Sequence, residues 1–555
     1  MLNEQINETS AHAILTQVAS YFDAVDAAVR VGDTNKRYTL TTNSCTSPSA
    51  PIANGSFTNI VISPTADNMA DLYNGFIYAK LKLKLKVEKT HGATANIEGG
   101  NHPSVWVGFK DASQAIAQYQ ILANGTTIYN QPNAITEFYI TSCADIDSVK
   151  KTDVFSRARH KDIWQKVDTV RTGVILNLAG KAAGAIETVE LVIKIDIRRF
   201  LPIATIKFLP AFAGNLSLRV QFKPDALVCA PLTLEDVLVA PRFLANVFAE
   251  HAISNRFVPL GQPFKCIEKV TATTIAAVGT AGQAGYIPEW TAFTPSCINN
   301  QIITCTSFVV EECNSLIPCF GLDDYLYQQL VQRYSSEALS FPVQTMSVQQ
   351  MNVTGGSGSY TATLSTTPKF VDNIFFNFID GTMNQGSCHM NPLLESWQLK
   401  MGGYGSFPDI AVSSHGAQFY EIMCNAYNVN TDVACFNDDV MKSLTAITYA
   451  KEVVNGTPVE YTCLPLNTGY KSNDITNFIM AIPCSTDGTY QQGQTSSTPI
   501  TYQLSMRAES KGPFGAKAPQ VEMCFLRYSV FAIQCRPGQT PVVVVDEADI
   551  TTPQS

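Results

Sequence analysis

LVIKIDIRRFLPIATIKFLPAFAGNLSLRVQF, residues Leu191 to Phe222, holds two alternating segments separated by a connection marked by Pro and Gly. In the first, Leu191, Ile193, Ile195 and Ile197 share one face of an extended chain, and Val192, Lys194, Asp196 and Arg198 share the other. In the second, Leu216, Leu218, Val220 and Phe222 point one way while Asn215, Ser217, Arg219 and Gln221 point the other. A helix cannot sort residues with period two, so both segments are predicted to be half-buried antiparallel strands.

The same pattern recurs on either side. FIYAKLKLKLKVEK, Phe76 to Lys89, is the purest alternation in the chain: Leu81, Leu83, Leu85 and Val87 form one face, and Lys80, Lys82, Lys84 and Lys86 the other. Lysines two apart on a strand sit about 7 Å from one another, and desolvating them multiplies their repulsion, so the leucine face is the one predicted to be buried. The lysine face then turns to water, where it also discourages edge pairing, or to a polyanion. Arg37–Ser44 and Phe57–Ser63 read as strands. Trp106–Lys110 and Tyr119–Leu122 are expected to continue one sheet, with Asn124-Gly125 turning into Thr126–Tyr129. Between Ala134 and Val170 the alternation weakens and charges gather, which predicts short helices or a long loop outside a sandwich. Strands resume at Gly173–Leu178, and Asp225–Pro241 carries the last apolar segment before a boundary expected near residue 245. At the other end, Ile14, Val18, Tyr21 or Phe22, Val25 and Val29 make a helical stripe that Gly32 ends. Such a helix must dock, either on its own domain or on a neighbouring subunit.

The second half reuses the plan of the first. VWVGFKDA at Val105 is echoed by FFNFIDGT at Phe375, QYQILANGTTIYNQP by SWQLKMGGYGSFP at Ser396, EFYITSCA at Glu137 by QFYEIMCNA at Gln418, and LSLRV at Leu216 by LSMRA at Leu504. The four pairs keep their order, with offsets growing from about 270 to about 290 residues, as duplication with a few loop insertions produces. An amphipathic helix is predicted at Leu322–Arg333, loops at Gly355–Ser359 and Gln491–Thr498, a late strand at Val521–Gln534, and an edge strand at the start of PVVVVDEADITTPQS.

Composition narrows the function. At 555 residues the chain exceeds one ordinary core. Charged residues make up only 15% of it, against about 25% in typical globular domains, so much of the surface is neutral and easily desolvated against other subunits. A net charge of −9 excludes a protein whose whole surface grips nucleic acid. The 15 cysteines are scattered without a CxxC pair, and Cys305, Cys313 and Cys319 read as buried small side chains in a reducing compartment rather than as ligands. No Lys or Arg precedes Arg30 and no early apolar run occurs, so no secretory signal is expected.

No catalytic constellation stands out. Gly180-Lys181-Ala182 has Ile175 where a phosphate-binding loop needs its first Gly and Ala182 where it needs Ser or Thr. His12, His91, His102, His160, His251, His389 and His415 are isolated in sequence, and the paired acids Asp323-Asp324 and Asp438-Asp439 read as helix-start or loop residues. No cofactor or metal is expected.

The strand pattern, the length and the duplication together resemble double jelly-roll major capsid proteins, most of all those of polinton-like viruses and virophages, with more distant kinship to adenovirus-type and giant-virus capsid proteins. The resemblance implies an all-β chain of two tandem jelly-roll β-sandwiches with short helices in loops. It divides the chain into an N-terminal helical arm at 1–35, a first jelly roll at 36–245, a second at 246–540 and a tail at 541–555. It implies a non-enzymatic subunit of a DNA virus, assembled inside the host cell into an icosahedral capsid and found in the virion. Three chains would form a pseudo-hexameric capsomer. Partners would be the chain itself, neighbouring capsomers, penton and minor capsid proteins, with Lys80, Lys82, Lys84 and Lys86 as candidates for contact with packaged DNA or an inner membrane. The alternative is a β-sandwich carbohydrate-active enzyme, whose distant carboxylates sequence spacing does not constrain, or a carbohydrate-binding adhesin.

Overall fold

A computed structural model of the chain describes residues 34–44, 52–92, 104–144, 172–231, 257–412, 450–461, 480–484 and 496–545, with short breaks inside these spans. The helix predicted at Ile14–Val31 lies outside the described residues.

Phe76–Val87 forms a strand in which Ile77, Ala79, Leu81, Leu83, Leu85 and Val87 are fully buried and the lysines turn outward. Each buried leucine contributes about 1.5–3 kcal/mol relative to exposure. A strand has backbone donors and acceptors along both edges, and here both are met. Ile186–Asp196 pairs along one edge and Ile303–Leu322 along the other, each antiparallel. Asn68–Asp71, Phe208–Pro210, Thr34–Ser44 and Ile52–Ala53 complete this seven-stranded sheet.

Two smaller sheets lie beside it in the first half. Phe57–Ile62, Leu216–Phe222, Ile116–Ala123 and Thr126–Gln131 run side by side in that order, as do Val258–Pro259, Leu227–Pro231, Ser104–Phe109 and Gly173–Asn177. Ile60, Ile121, Leu218 and Val220 of one share a hydrophobic cluster with Val105, Val107, Leu176 and Leu227 of the other. The segments Trp106–Lys110 and Tyr119–Leu122 therefore do not continue one sheet: they belong to different ones. The crossing is made by a single 3-10 turn, Ala112–Ala115, capped by Asp111, whose carboxylate accepts from the Ser113 amide.

The second half repeats the winding. Leu339–Gln350, Pro519–Gln534, Val371–Asp380 and Met480–Pro483 form one sheet; Asn352–Gly356, Ser359–Thr366, Ile500–Ala508, Leu394–Met401 and Gly405–Val412 form the other. Their inner faces meet in a second cluster that includes Phe376, Trp397, Leu399, Tyr502, Leu504 and Phe525. In chain order, the strands that begin at Phe57, Ser104, Ile116, Thr126, Gly173, Leu216 and Leu227 take the same sheet positions as those that begin at Ser359, Val371, Leu394, Gly405, Met480, Ile500 and Pro519. This alternation between two facing antiparallel sheets is jelly-roll winding, performed twice.

Ladder register refines the duplication. Val220 lies opposite Tyr119, and Met506 lies opposite Trp397, so with Tyr119 equivalent to Trp397 it is Leu218, not Leu216, that holds the place of Leu504. A slip of two residues leaves every side chain on its own face, which is why the sequence match could not reveal it.

Pairing crosses the boundary expected near residue 245. Ile303–Leu322 is built into the sheet of the first half, where it pairs along the edge of Phe76–Val87 opposite Ile186–Asp196. The two cores are also stitched together. Leu339, Phe341 and Val343 belong to the first cluster and Met346 to the second; along the paired strand, Phe531 and Ile533 belong to the first and Val521, Met523 and Phe525 to the second. One antiparallel ribbon thus runs through both sandwiches.

Smaller corrections follow from local chemistry. Gly355–Ser359 is a tight hairpin rather than a loop, with Ser357 and Gly358 at positive φ as a two-residue turn of this type demands. The amphipathic helix spans Asp324–Ser336 and turns Tyr327, Leu330 and Tyr334 inward. Asn124-Gly125 forms the predicted turn, again with both residues at positive φ. Trp106 owes its place to two glycines: Gly108 and Gly173 face each other across the ladder, and a Cβ on Gly173 would lie 2.3 Å from the indole ring.

Candidate functional site

The lysine face and the junction between the sandwiches carry most of the described charge chemistry. On the lysine face, the flanking strands bring carboxylates alongside. Lys80 lies 3.2 Å from Glu190 and 3.1 Å from Glu311, Lys82 lies 3.0 Å from Glu311, and Lys86 lies 3.0 Å from Glu88. In the ladder Lys82 is opposite Glu190 and Lys80 opposite Glu312. Lys84 is exposed. Hydrogen bonds to Glu311, then to Glu190, hold the Lys80 ammonium above its usual range, and Lys82 and Lys80 hold the Glu311 carboxyl below its own. Exposed pairs of this kind add little stability, but they convert a lysine ladder into a surface of mixed sign. Sequence reasoning placed the lysines and missed their partners, because Glu311 lies 229 residues from Lys82.

The junction is built on the helix Ala134–Ala144, which carries Glu137 in its first turn. Glu137 is completely buried. Its carboxylate accepts from the Tyr119 hydroxyl at 2.5 Å, the Gln131 amide at 2.6 Å and the Tyr129 hydroxyl at 3.1 Å, and from the Leu201 backbone. The same donors reach across to the second sandwich. Tyr129 Oη and Gln131 Nε2 lie 3.0 and 2.9 Å from the Met346 carbonyl, and the Met346 amide donates back to Tyr129 Oη at 3.2 Å. Leu339–Gln350 is an edge strand, and these side chains satisfy the outward carbonyl and amide of Met346. From the same end of the helix, Asn133 and Thr136 donate to Glu522 of the second sandwich at 3.2 and 2.9 Å.

Burial dominates the titration here. Loss of water raises the Glu137 carboxyl to about 7 despite its hydrogen bonds, and the Tyr119 hydroxyl is pushed well above its usual range by burial and by Glu137. Glu522 is raised for the same reason, against the bonds from Thr136, Asn133 and Asn377. Nearby, Arg199 meets Asp111 at 3.3 Å in a buried pair that ties the sheet-crossing turn to the segment Ile197–Arg199. Glu137 was read in sequence only as part of a repeated string. The one available signal was an acid set among Phe138, Tyr139 and Ile140, where a solvated helix would not place one.

Among the described residues no three His, Cys, Asp or Glu side chains come together in a way that could hold a metal ion, and no helix is long and apolar enough to cross a membrane. Cys313 and Cys319 are buried and Cys305 half-buried, all three as free thiols. His91 and His389 are buried, the latter stacked on Tyr139 with ring centroids 3.8 Å apart. Asp324 starts a helix, while Asp438-Asp439 lies outside the described residues.

No family model matches the chain, and no curated protein matches it. Among solved structures, the chain is similar to the major capsid protein of mavirus, with 11% identity and a TM-score of 0.46 over 93% of each chain. It is also similar to a chain in the cryo-EM structure of the Sputnik virophage, with 8% identity and a TM-score of 0.45 over 93% of this chain and 90% of the other. A third similarity, to the Faustovirus major capsid protein, has 9% identity and a TM-score of 0.42 over 90% of each.

Proposed function

We propose that this chain is the major structural subunit of an icosahedral viral shell, a double jelly-roll capsid protein that works as a homotrimer. The observation that carries the reading is the repeated winding: seven strands take the same sheet positions, in the same chain order, twice in one chain. Two similar lobes per chain make three chains a pseudo-hexagon, and hexagons tile a shell. The low charge fraction supports lasting contacts between copies, whose centres are depleted in Asp, Glu and Lys. The mechanism is assembly rather than reaction, its free energy coming from burial of neutral surface, on the order of 1,600 Å² for a stable contact. Neighbouring capsomers, penton and minor capsid proteins are the partners this reading requires. The Lys80–Lys86 face, where Glu190, Glu311 and Glu88 already pair with Lys80, Lys82 and Lys86, would turn to solvent rather than to packaged DNA or an inner membrane, with Lys84 its most exposed cation.

Light scattering and negative-stain microscopy of the purified chain test the proposal together. A trimer with hexagonal outline, or closed shells, is the expected result. A stable monomer across micromolar concentrations, with no assembly under crowding, would sink it, and hydrolase or glycan-binding activity of such a monomer would favour the carbohydrate-active alternative.

A further inference from the structure

The hydrogens at the junction do not suffice to serve every contact at once. Tyr129 has one hydroxyl hydrogen and two acceptors within reach, Glu137 Oε2 at 3.1 Å and the Met346 carbonyl at 3.0 Å. Gln131 has two amide hydrogens and three neighbours: Glu137 Oε2, the Met346 carbonyl and Tyr129 Oη. When Glu137 is ionised it only accepts, and a buried carboxylate attracts the Tyr129 hydrogen. When Glu137 carries a proton it donates that proton to Tyr129 Oη, and the Tyr129 hydrogen is released toward Met346.

We propose that the Glu137–Tyr129–Met346 chain is a proton-operated clasp between the two sandwiches, closing onto the second sandwich when Glu137 takes up a proton and slackening when it loses it. The proton comes from solvent and resides on Glu137 Oε2; no covalent bond changes. The placement of the group supports this, since the raised carboxyl titrates near neutral pH. The titratable and charged groups on the elements packed around the helix are Tyr119 and Tyr129 on the hairpin, the Asp111–Arg199 pair beneath it, and Glu522 and His389 from the second half. Glu522, a buried carboxylate at the same junction that burial also raises, is the group the test must separate from Glu137. The clasp belongs to a single chain and holds whether or not copies assemble.

Hydrogen exchange of the Met346 amide reads the clasp directly, because that amide donates to Tyr129 Oη. In the full chain, protection corrected for intrinsic exchange is expected to fall as pH rises from 5.5 to 8, by up to about tenfold per pH unit where opening is linked to loss of one proton. Glu137→Gln, neutral at every pH and able to donate to Tyr129, should flatten the profile, and Glu522→Gln should leave the slope intact. Tyr129→Phe keeps the carboxyl but removes the relay, so it should lower protection and abolish its pH dependence. The proposal is overturned by a flat wild-type profile, by a slope that survives in Glu137→Gln, or by one that disappears in Glu522→Gln. Should Glu137→Gln fail to fold, a slope that persists in Tyr129→Phe overturns it equally.

Discussion

Gly173→Ala tests the packing logic of the first sandwich at one atom. The added methyl would sit 2.3 Å from Cε2 and Cζ2 of Trp106 and 2.6 Å from the Val107 carbonyl oxygen, well inside van der Waals contact. Trp106 cannot swing away. It is fully buried, lies edge-on to Phe257 at a centroid distance of 5.9 Å, and shares its glycine-lined slot with Gly108. Overpacking of a tight core costs about 1–3 kcal/mol, and this site belongs at the upper end because one of the two obstacles is backbone. The loss is expected to appear as a lower Tm in calorimetry and a lower midpoint in urea unfolding. A double-mutant cycle isolates the cause. Trp106→Phe shortens the ring and removes one obstacle while leaving the Val107 carbonyl, so Gly173→Ala should cost about 1 kcal/mol less in that background. Additive costs, or a Tm unchanged by Gly173→Ala, would refute the claim that the glycines exist to house the indole.

Other outcomes follow from the same geometry. Because Glu137 is raised from 4.5 to about 7, the folded chain holds a proton that the unfolded chain releases; the stability this lends is fully present below pH 4.5 and is lost as pH rises through about 7. The loss is on the order of 3 kcal/mol in urea unfolding, and an equal drop in Glu137→Gln would contradict it. Lys82→Gln with Lys84→Gln should leave the salt dependence of DNA retention unchanged, since carboxylates already balance that face; a shallower slope would show the lysines neutralising phosphates. Deleting residues 1–31 should leave both sandwiches folded and weaken association between copies, an expectation that loss of cooperative melting would reverse.

How far the sequence could be read depended on whether a strand kept one phase. Phe76–Val87 and Leu216–Phe222 alternate without interruption, and their inward faces were legible residue by residue. Ile303–Leu322, the longest strand described, was not read as a strand at all. Its pairing shifts register between Cys305 and Ser307 and again between Val310 and Glu312, and each irregularity moves the apolar side chains to the opposite parity, so no single alternation spans the segment. The junction was illegible for another reason. Glu137 and Tyr129 lie close in sequence, but Met346 and Glu522 are brought to them only by the fold, and a buried carboxylate acquires its meaning from neighbours that spacing does not specify.

The missed strand and the missed junction bear on the same point. Duplication by itself predicts two domains joined like beads, each closing its own core and free to turn. Here the strand that completes the edge of Phe76–Val87 comes from beyond residue 300, one ribbon is shared between two cores, and Tyr139, Ile140 and Leu201 of the first half pack into the second cluster. A purely apolar contact between such halves would tolerate sliding, since hydrophobic burial is non-directional. The hydrogen bonds from Tyr129 and Gln131 to one backbone carbonyl, and from Asn133 and Thr136 to one carboxylate, do not tolerate it: a shift of an ångström leaves buried polar groups unpaired, at about 1–3 kcal/mol each. The lobes are therefore held in one relative orientation, and a fixed angle between two similar lobes is what the proposed shell requires of its subunit.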